Sequence, residues 1–61
     1  MKAKEVVIGS VVVCRIGAEL ARVVVVAQAT KYNGRTGFRV RRENEREALP
    51  KLRSAAALRA V

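Results

Sequence analysis

The chain has 61 residues and a formal net charge of +8 at pH 7, and 51% of its residues are hydrophobic. It has no histidine, no aspartate and one cysteine, a composition that excludes an internal disulfide and argues against a metal site or other cofactor. No apolar run approaches the roughly 20 residues of a membrane span, and no signal peptide with a cleavage site is recognised. We therefore expect residues 1–61 to form a single cytoplasmic domain without membrane insertion.

The first half of the chain is predicted to form two valine-rich β-strands. Residues 11–16 make the first strand because β-branched side chains are dense there, and residues 17–20 are the connection. Residues 21–29 make the second strand, in which four successive valines place apolar side chains on both faces. One face meets the core, and the C-terminal segment or a second copy of the chain must cover the other. The predicted oligomer interface is Val23, Val24, Val25 and Val26.

A hairpin and a third strand are predicted next. The dipeptide Asn33-Gly34 supplies the two positive φ values that a tight hairpin turn needs. In residues 35–42, arginines alternate with Phe38 and Val40, which is the pattern of a half-buried strand. We therefore expect these two apolar side chains to face the core and the arginines between them to face solvent.

The C-terminal segment has two interpretations. Residues 47–53 could return as a fourth strand, where Pro50 implies an edge position or a bulge because it has no N–H to donate. Ser54 would then cap a short helical turn. Alternatively, a continuous helix begins near Pro50 and runs through the helix-forming residues 51–59. The sequence thus predicts a mainly β fold of about five strands, with a helical turn or a short helix near residues 54–59.

Short motifs near both ends of the chain carry a resemblance. Residues 8–11, Ile-Gly-Ser-Val, open the first strand, and Ser54-Ala55-Ala56-Ala57-Leu58 lie near the end. With the valine-rich strand and the hairpin between them, these motifs resemble the small SH3-like β-barrels, and among those the plasmid-borne type II dihydrofolate reductases look similar. The reductases have a Val-Gln-Ile-Tyr active-site strand where this chain has Pro50-Lys51-Leu52-Arg53, so the resemblance implies the fold and not the activity. Other basic barrels of this kind bind nucleic acid on a sheet face.

Positive charge is concentrated in the second half of the chain. Residues 1–30 hold four Lys+Arg and two Glu, whereas residues 31–61 hold nine and three, which gives net charges of +2 and +6. This asymmetry predicts a polyanionic partner, DNA or RNA, bound through its backbone. The predicted nucleic-acid-binding residues are Lys31, Tyr32, Arg35, Arg39, Arg41, Arg42, Lys51 and Arg53.

Two details of this surface stay open in the sequence. In a hairpin of the third and fourth strands, the outer face can carry Arg39, Arg41, Lys51 and Arg53. A register change of one residue moves the last two cations to the other side. Tyr32 either stacks on a base or packs against the rim of the barrel.

The basic surface also has interpretations without nucleic acid. The charges could simply solvate an exposed sheet, partly neutralised by Glu43, Glu45 and Glu47. Alternatively, they could bind an acidic protein surface, as in an interaction or inhibitor module of the kind encoded on mobile elements.

Catalysis is not predicted, because no histidine is present to activate a nucleophile. Cys14 lies in a valine-rich strand and is expected to be a buried structural thiol.

Overall fold

The computed structural model describes the backbone of residues 1–32 and 35–61, and the side chains of residues 1–29 and 36–61. Its elements, in chain order, are a 3₁₀ turn Ala3–Glu5, strands β1 Val11–Ile16, β2 Glu19–Tyr32, β3 Arg35–Arg42 and β4 Lys51–Ser54, a second 3₁₀ turn Ala55–Ala57, and strand β5 Leu58–Arg59. All pairings are antiparallel, and the strand order is β4-β3-β2-β1-β5. The predicted mainly β fold of about five strands is confirmed, with the sheet curled into a half-barrel that is compatible with an SH3-like barrel.

The strand boundaries differ from the sequence-based prediction in the first hairpin. The predicted β1 is correct, but β2 begins at Glu19, so only Gly17 and Ala18 connect the two strands. Gly17 has φ +63°, and a positive φ at the first central position is what two-residue hairpin turns require. The predicted connection of four residues, 17–20, is therefore wrong, because Glu19 and Leu20 already belong to β2.

The C-terminal segment forms a strand and a short turn. The alternative helix from Pro50 is wrong, because Lys51–Ser54 pairs with β3 and only Ala55–Ala57 is helical. This arrangement brings Ala55 and Leu58 into the core, at 8% and 0% exposure, so burial overrides the helix propensity of the sequence. Within the described residues, no helix has the length and apolarity needed to cross a membrane.

The core is formed by the inward side chains of the sheet and of the second 3₁₀ turn. Its buried members are Val12, Cys14, Val23, Val25, Phe38, Val40, Ala55 and Leu58. As expected, the Cys14 thiol is buried. The N-terminal segment packs on this core through Met1 and Val6, and the Met1 amino group donates hydrogen bonds to the carbonyl oxygens of Ala55, at 3.2 Å, and Leu58, at 2.6 Å.

The four valines of β2 divide between the two faces. Val23 and Val25 are fully buried, so these two residues of the predicted interface cannot contact a second copy in this fold. Val24 and Val26 are half-buried on the outer side. The register shifts between Val25 and Ala27, and such a bulge bends a strand and increases its twist, which lets the 14-residue β2 curl around the core.

Candidate nucleic-acid interface

The pairing of β3 with β4 decides where the predicted basic residues lie. Lys51 is opposite Val40, and Arg53 is opposite Phe38. Directly opposed residues of an antiparallel pair extend from the same side of a sheet. Because Val40 and Phe38 are core residues, both cations of β4 extend from its core-facing side, not from the outer face.

The outer face of this hairpin carries two of the four cations predicted for it, Arg39 and Arg41. Arg39 is exposed and lies opposite Leu52, and Arg41 lies opposite Val24 of β2. The Arg41 Nη1 donates a hydrogen bond to the carbonyl oxygen of Arg46 at 2.6 Å. The shared outer face of Arg39, Arg41, Lys51 and Arg53 is therefore not formed, and the structure adopts the alternative register. These four cations lie on both sides of the sheet at the edge that β4 forms. We call strands β3 and β4 with these four residues the basic hairpin.

Carboxylates are grouped at the end of the sheet where the β1–β2 turn meets the end of β3. Glu19 accepts a 2.8 Å contact from Arg42 Nη2, and Glu45 lies 3.6 Å from Arg42 Nε. Glu43 lies 3.2 Å from Arg22 Nε. Pairs this exposed contribute only about 0–1 kcal/mol to stability, but they neutralise local charge. Arg42, a predicted phosphate ligand, already contacts two carboxylates.

The four cations of the basic hairpin have no such neutralisation within the described part of the chain. In residues 1–29 and 36–61, the ion pairs involve neither β4 cation nor the two outer arginines. Arg53 Nη1 donates to the carbonyl oxygen of its neighbour Leu52 at 2.8 Å. Hydrogen bonds to a carbonyl leave the positive charge of a guanidinium intact. The basic hairpin thus keeps four positive charges that form no ion pair with the side chains that the structure describes.

Three predicted site residues fall next to the β2–β3 connection. The backbone pairs Tyr32 with Arg35, whereas the two residues between them lie outside the described residues. The side chains of Lys31, Tyr32 and Arg35 also lie outside them, so the stacking of Tyr32 on a base stays a prediction. Their strands place all three at the far end of β2 and β3 from the carboxylate group.

A cleft beside β4 was not predicted from the sequence. It has a volume of about 60 Å³, and its wall is formed by Ile16, Val40, Arg41, Arg42, Glu45, Ala48, Leu49, Lys51 and Arg53. The core-facing side of β4 opens into it. The cleft places Ala48 and Leu49 of the β3–β4 connection near Ile16 of β1. Residue spacing does not reveal this arrangement. The one feature of the sequence that could have indicated the cleft is the uncharged run Ala48-Leu49-Pro50 within a charged region.

Comparisons with known proteins identify no family for this chain. No protein-family model matches it, and searches of curated proteins and of solved structures find no similar protein. The likeness to SH3-like barrels therefore stands on the fold alone. The further likeness to type II dihydrofolate reductases has no family or homologue support.

Proposed function

We propose that this protein binds the backbone of DNA or RNA through the basic hairpin, largely independently of base sequence. The observation that carries the proposal is the clustering of unpaired cations: Arg39, Arg41, Lys51 and Arg53 lie on the paired strands β3 and β4, and none has a carboxylate partner within the described residues. A cluster of cations gains affinity for polyphosphates by releasing condensed counterions. Base-specific readout is not part of the proposal.

The residue inventory favours binding over catalysis. The sequence lacks histidine and aspartate, and Cys14 is 1% exposed, so the usual nucleophiles and bases are scarce. We propose a binding module that needs no cofactor and acts in the cytoplasm, where nucleic acid is available to it.

A second copy of the chain is the proposed cover for the outer valine face. Val24 lies opposite Val11 there, and the neighbouring Val13 and Val26 are also half-buried. A chain of this length buries only about 60% of its unfolded surface, so removing these valines from water would add stability.

The test compares two charge-reversal variants of equal net charge. Arg39→Glu with Arg41→Glu changes the basic hairpin, whereas Arg15→Glu with Arg59→Glu changes exposed arginines of β1 and β5. Binding to a fluorescent oligonucleotide is measured by anisotropy at fixed salt. We expect the hairpin variant to lose about tenfold or more in affinity relative to the control variant.

Two outcomes would contradict the proposal. Equal losses in the two variants would mean that total charge, and not the basic hairpin, attracts the nucleic acid. If the unaltered protein binds no oligonucleotide even at low salt, the surface does not serve nucleic acid. A complex with an acidic protein recovered from nuclease-treated lysate would then identify the interaction or inhibitor alternative.

A further inference from the structure

The cleft beside β4 combines an apolar wall with an unusually exposed leucine. The half-buried Ile16 contributes apolar surface to the wall, and the core residue Val40, which is 2% exposed, lies behind it. Leu49 lines the same cleft and is 88% exposed, the largest value for a large hydrophobic residue in the described part of the chain. Within the described residues, nothing in the fold covers the Leu49 side chain, so a ligand with an apolar face can reach it.

Positive charge surrounds this apolar wall. Lys51 and Arg53 line the cleft, and their Cα atoms are about 6.6 Å apart because a strand rises about 3.3 Å per residue. The carboxylate in the cleft wall is Glu45, which lies 3.6 Å from Arg42. The lining of the cleft thus holds four cations, Arg41, Arg42, Lys51 and Arg53, against this one carboxylate, and the excess of positive charge favours an anion.

The ligand must therefore present an anion and an apolar face side by side. In a duplex, the faces of the bases are stacked inside the helix, and a protein meets phosphates, sugars and base edges. In a single strand, bases can be splayed out and contact side chains while the backbone stays on cationic residues. Among nucleic acids, unpaired nucleotides satisfy both halves of the cleft.

We propose that the cleft holds an unpaired base against Leu49 and Ile16, with the adjoining phosphates at Lys51 and Arg53, so that the protein prefers single-stranded nucleic acid to duplex. This inference rests on the proposed function, because it assumes that the basic hairpin binds nucleic acid. The shallow cleft, about 60 Å³, contacts a base without reading its hydrogen-bonding edge, which agrees with sequence-independent binding.

Three DNA probes of equal length test the inference: a thymidine oligonucleotide, an abasic oligonucleotide with the same phosphates, and a duplex. We expect the thymidine strand to bind about fivefold or more tightly than the abasic strand, because contact of a base with Leu49 removes apolar surface of both partners from water. We also expect it to bind more tightly than the duplex at the same salt concentration.

The variant Leu49→Ser and its control Leu20→Ser locate the base contact. Leu20 is 56% exposed and lies on β2 outside the cleft, so both substitutions remove an exposed leucine. We expect Leu49→Ser to abolish the preference for thymidine over the abasic strand and Leu20→Ser to preserve it. Circular dichroism verifies that both variants are folded.

The possible failures separate the two proposals. Equal binding of the thymidine and abasic strands, tighter binding of the duplex, or an unchanged preference in Leu49→Ser would overturn the single-strand inference while nucleic-acid binding stands. No binding of any probe at low salt would overturn the proposed function itself.

Discussion

Lys51 lies directly opposite Val40, so a cation of the edge strand extends from the same side of the sheet as a core valine. This relationship turns the core-facing side of β4 into the wall of a cleft with mixed apolar and cationic character. It also divides the four cations of the basic hairpin between two sides of one edge.

The core should be sensitive to loss of its largest aliphatic residue. Leu58 is fully buried, whereas Leu49 is 88% exposed, so the same change to alanine has different consequences at the two positions. We expect Leu58→Ala to lower the free energy of unfolding by about 2–5 kcal/mol and Leu49→Ala to change it by less than about 0.5 kcal/mol. Urea denaturation followed by circular dichroism measures both. Similar values for the two variants would contradict the assigned core.

The turn between β1 and β2 should depend on backbone conformation alone. Gly17 has φ +63°, and a Cβ added there meets no atom within 4 Å. Gly17→Ala should therefore cost about 1–2 kcal/mol from the left-handed conformation, and Gly17→Asn should cost less because asparagine adopts this region more readily. Thermal unfolding ranks the two variants. Equal stability of Gly17→Ala and the unaltered protein would mean that the turn differs from the one described.

How far the sequence determines this fold is clearest in the strands. The β-branched run in β1 and the alternation of Phe38 with arginines in β3 were sufficient to predict both strands, and the burial of Cys14, Phe38 and Val40 was also predicted. The C-terminal segment was ambiguous because its helix propensity and the burial of Leu58 favour different structures. The register of β4 was equally ambiguous, since a one-residue shift exchanges its faces and the deciding contacts are long-range.

The candidate site was less predictable than the fold. Charge counting identified the basic hairpin correctly as a cationic segment, but it could not show that Arg42 would contact Glu19, which is 23 positions away in the chain. Nor could it show the cleft, because Ile16 and Leu49 line it together although they are 33 positions apart in the chain. Both features are products of tertiary structure.

Removing the carboxylate from the cleft should strengthen binding to nucleic acid. Glu45→Gln deletes its negative charge beside Arg42, and the loss of a half-exposed pair costs no more than about 1 kcal/mol of stability. We expect higher affinity for a single-stranded oligonucleotide, measured by anisotropy. Glu43→Gln is the control, because it removes the same charge from a pair outside the cleft. An increase of the same size in the control would make the effect one of net charge.

The outer valine face should support self-association. Val24→Lys places a charge among half-buried valines, and Val61→Lys makes the same substitution at a residue that is 71% exposed. Light scattering coupled to size-exclusion chromatography should give an oligomer for the unaltered protein and Val61→Lys, and a single chain for Val24→Lys. A single-chain mass for the unaltered protein would contradict the proposed assembly.

The salt dependence of binding to a single-stranded oligonucleotide tests the central claim most directly, because it counts the phosphates that the basic hairpin engages. Four contacts predict a slope of log affinity against log salt concentration of about −3, and Arg39→Glu with Arg41→Glu should reduce its magnitude by about 1.4. The control variant, Arg15→Glu with Arg59→Glu, should keep the original slope. Absence of binding at low salt, or a slope that both variants change equally, would contradict nucleic-acid binding by this hairpin.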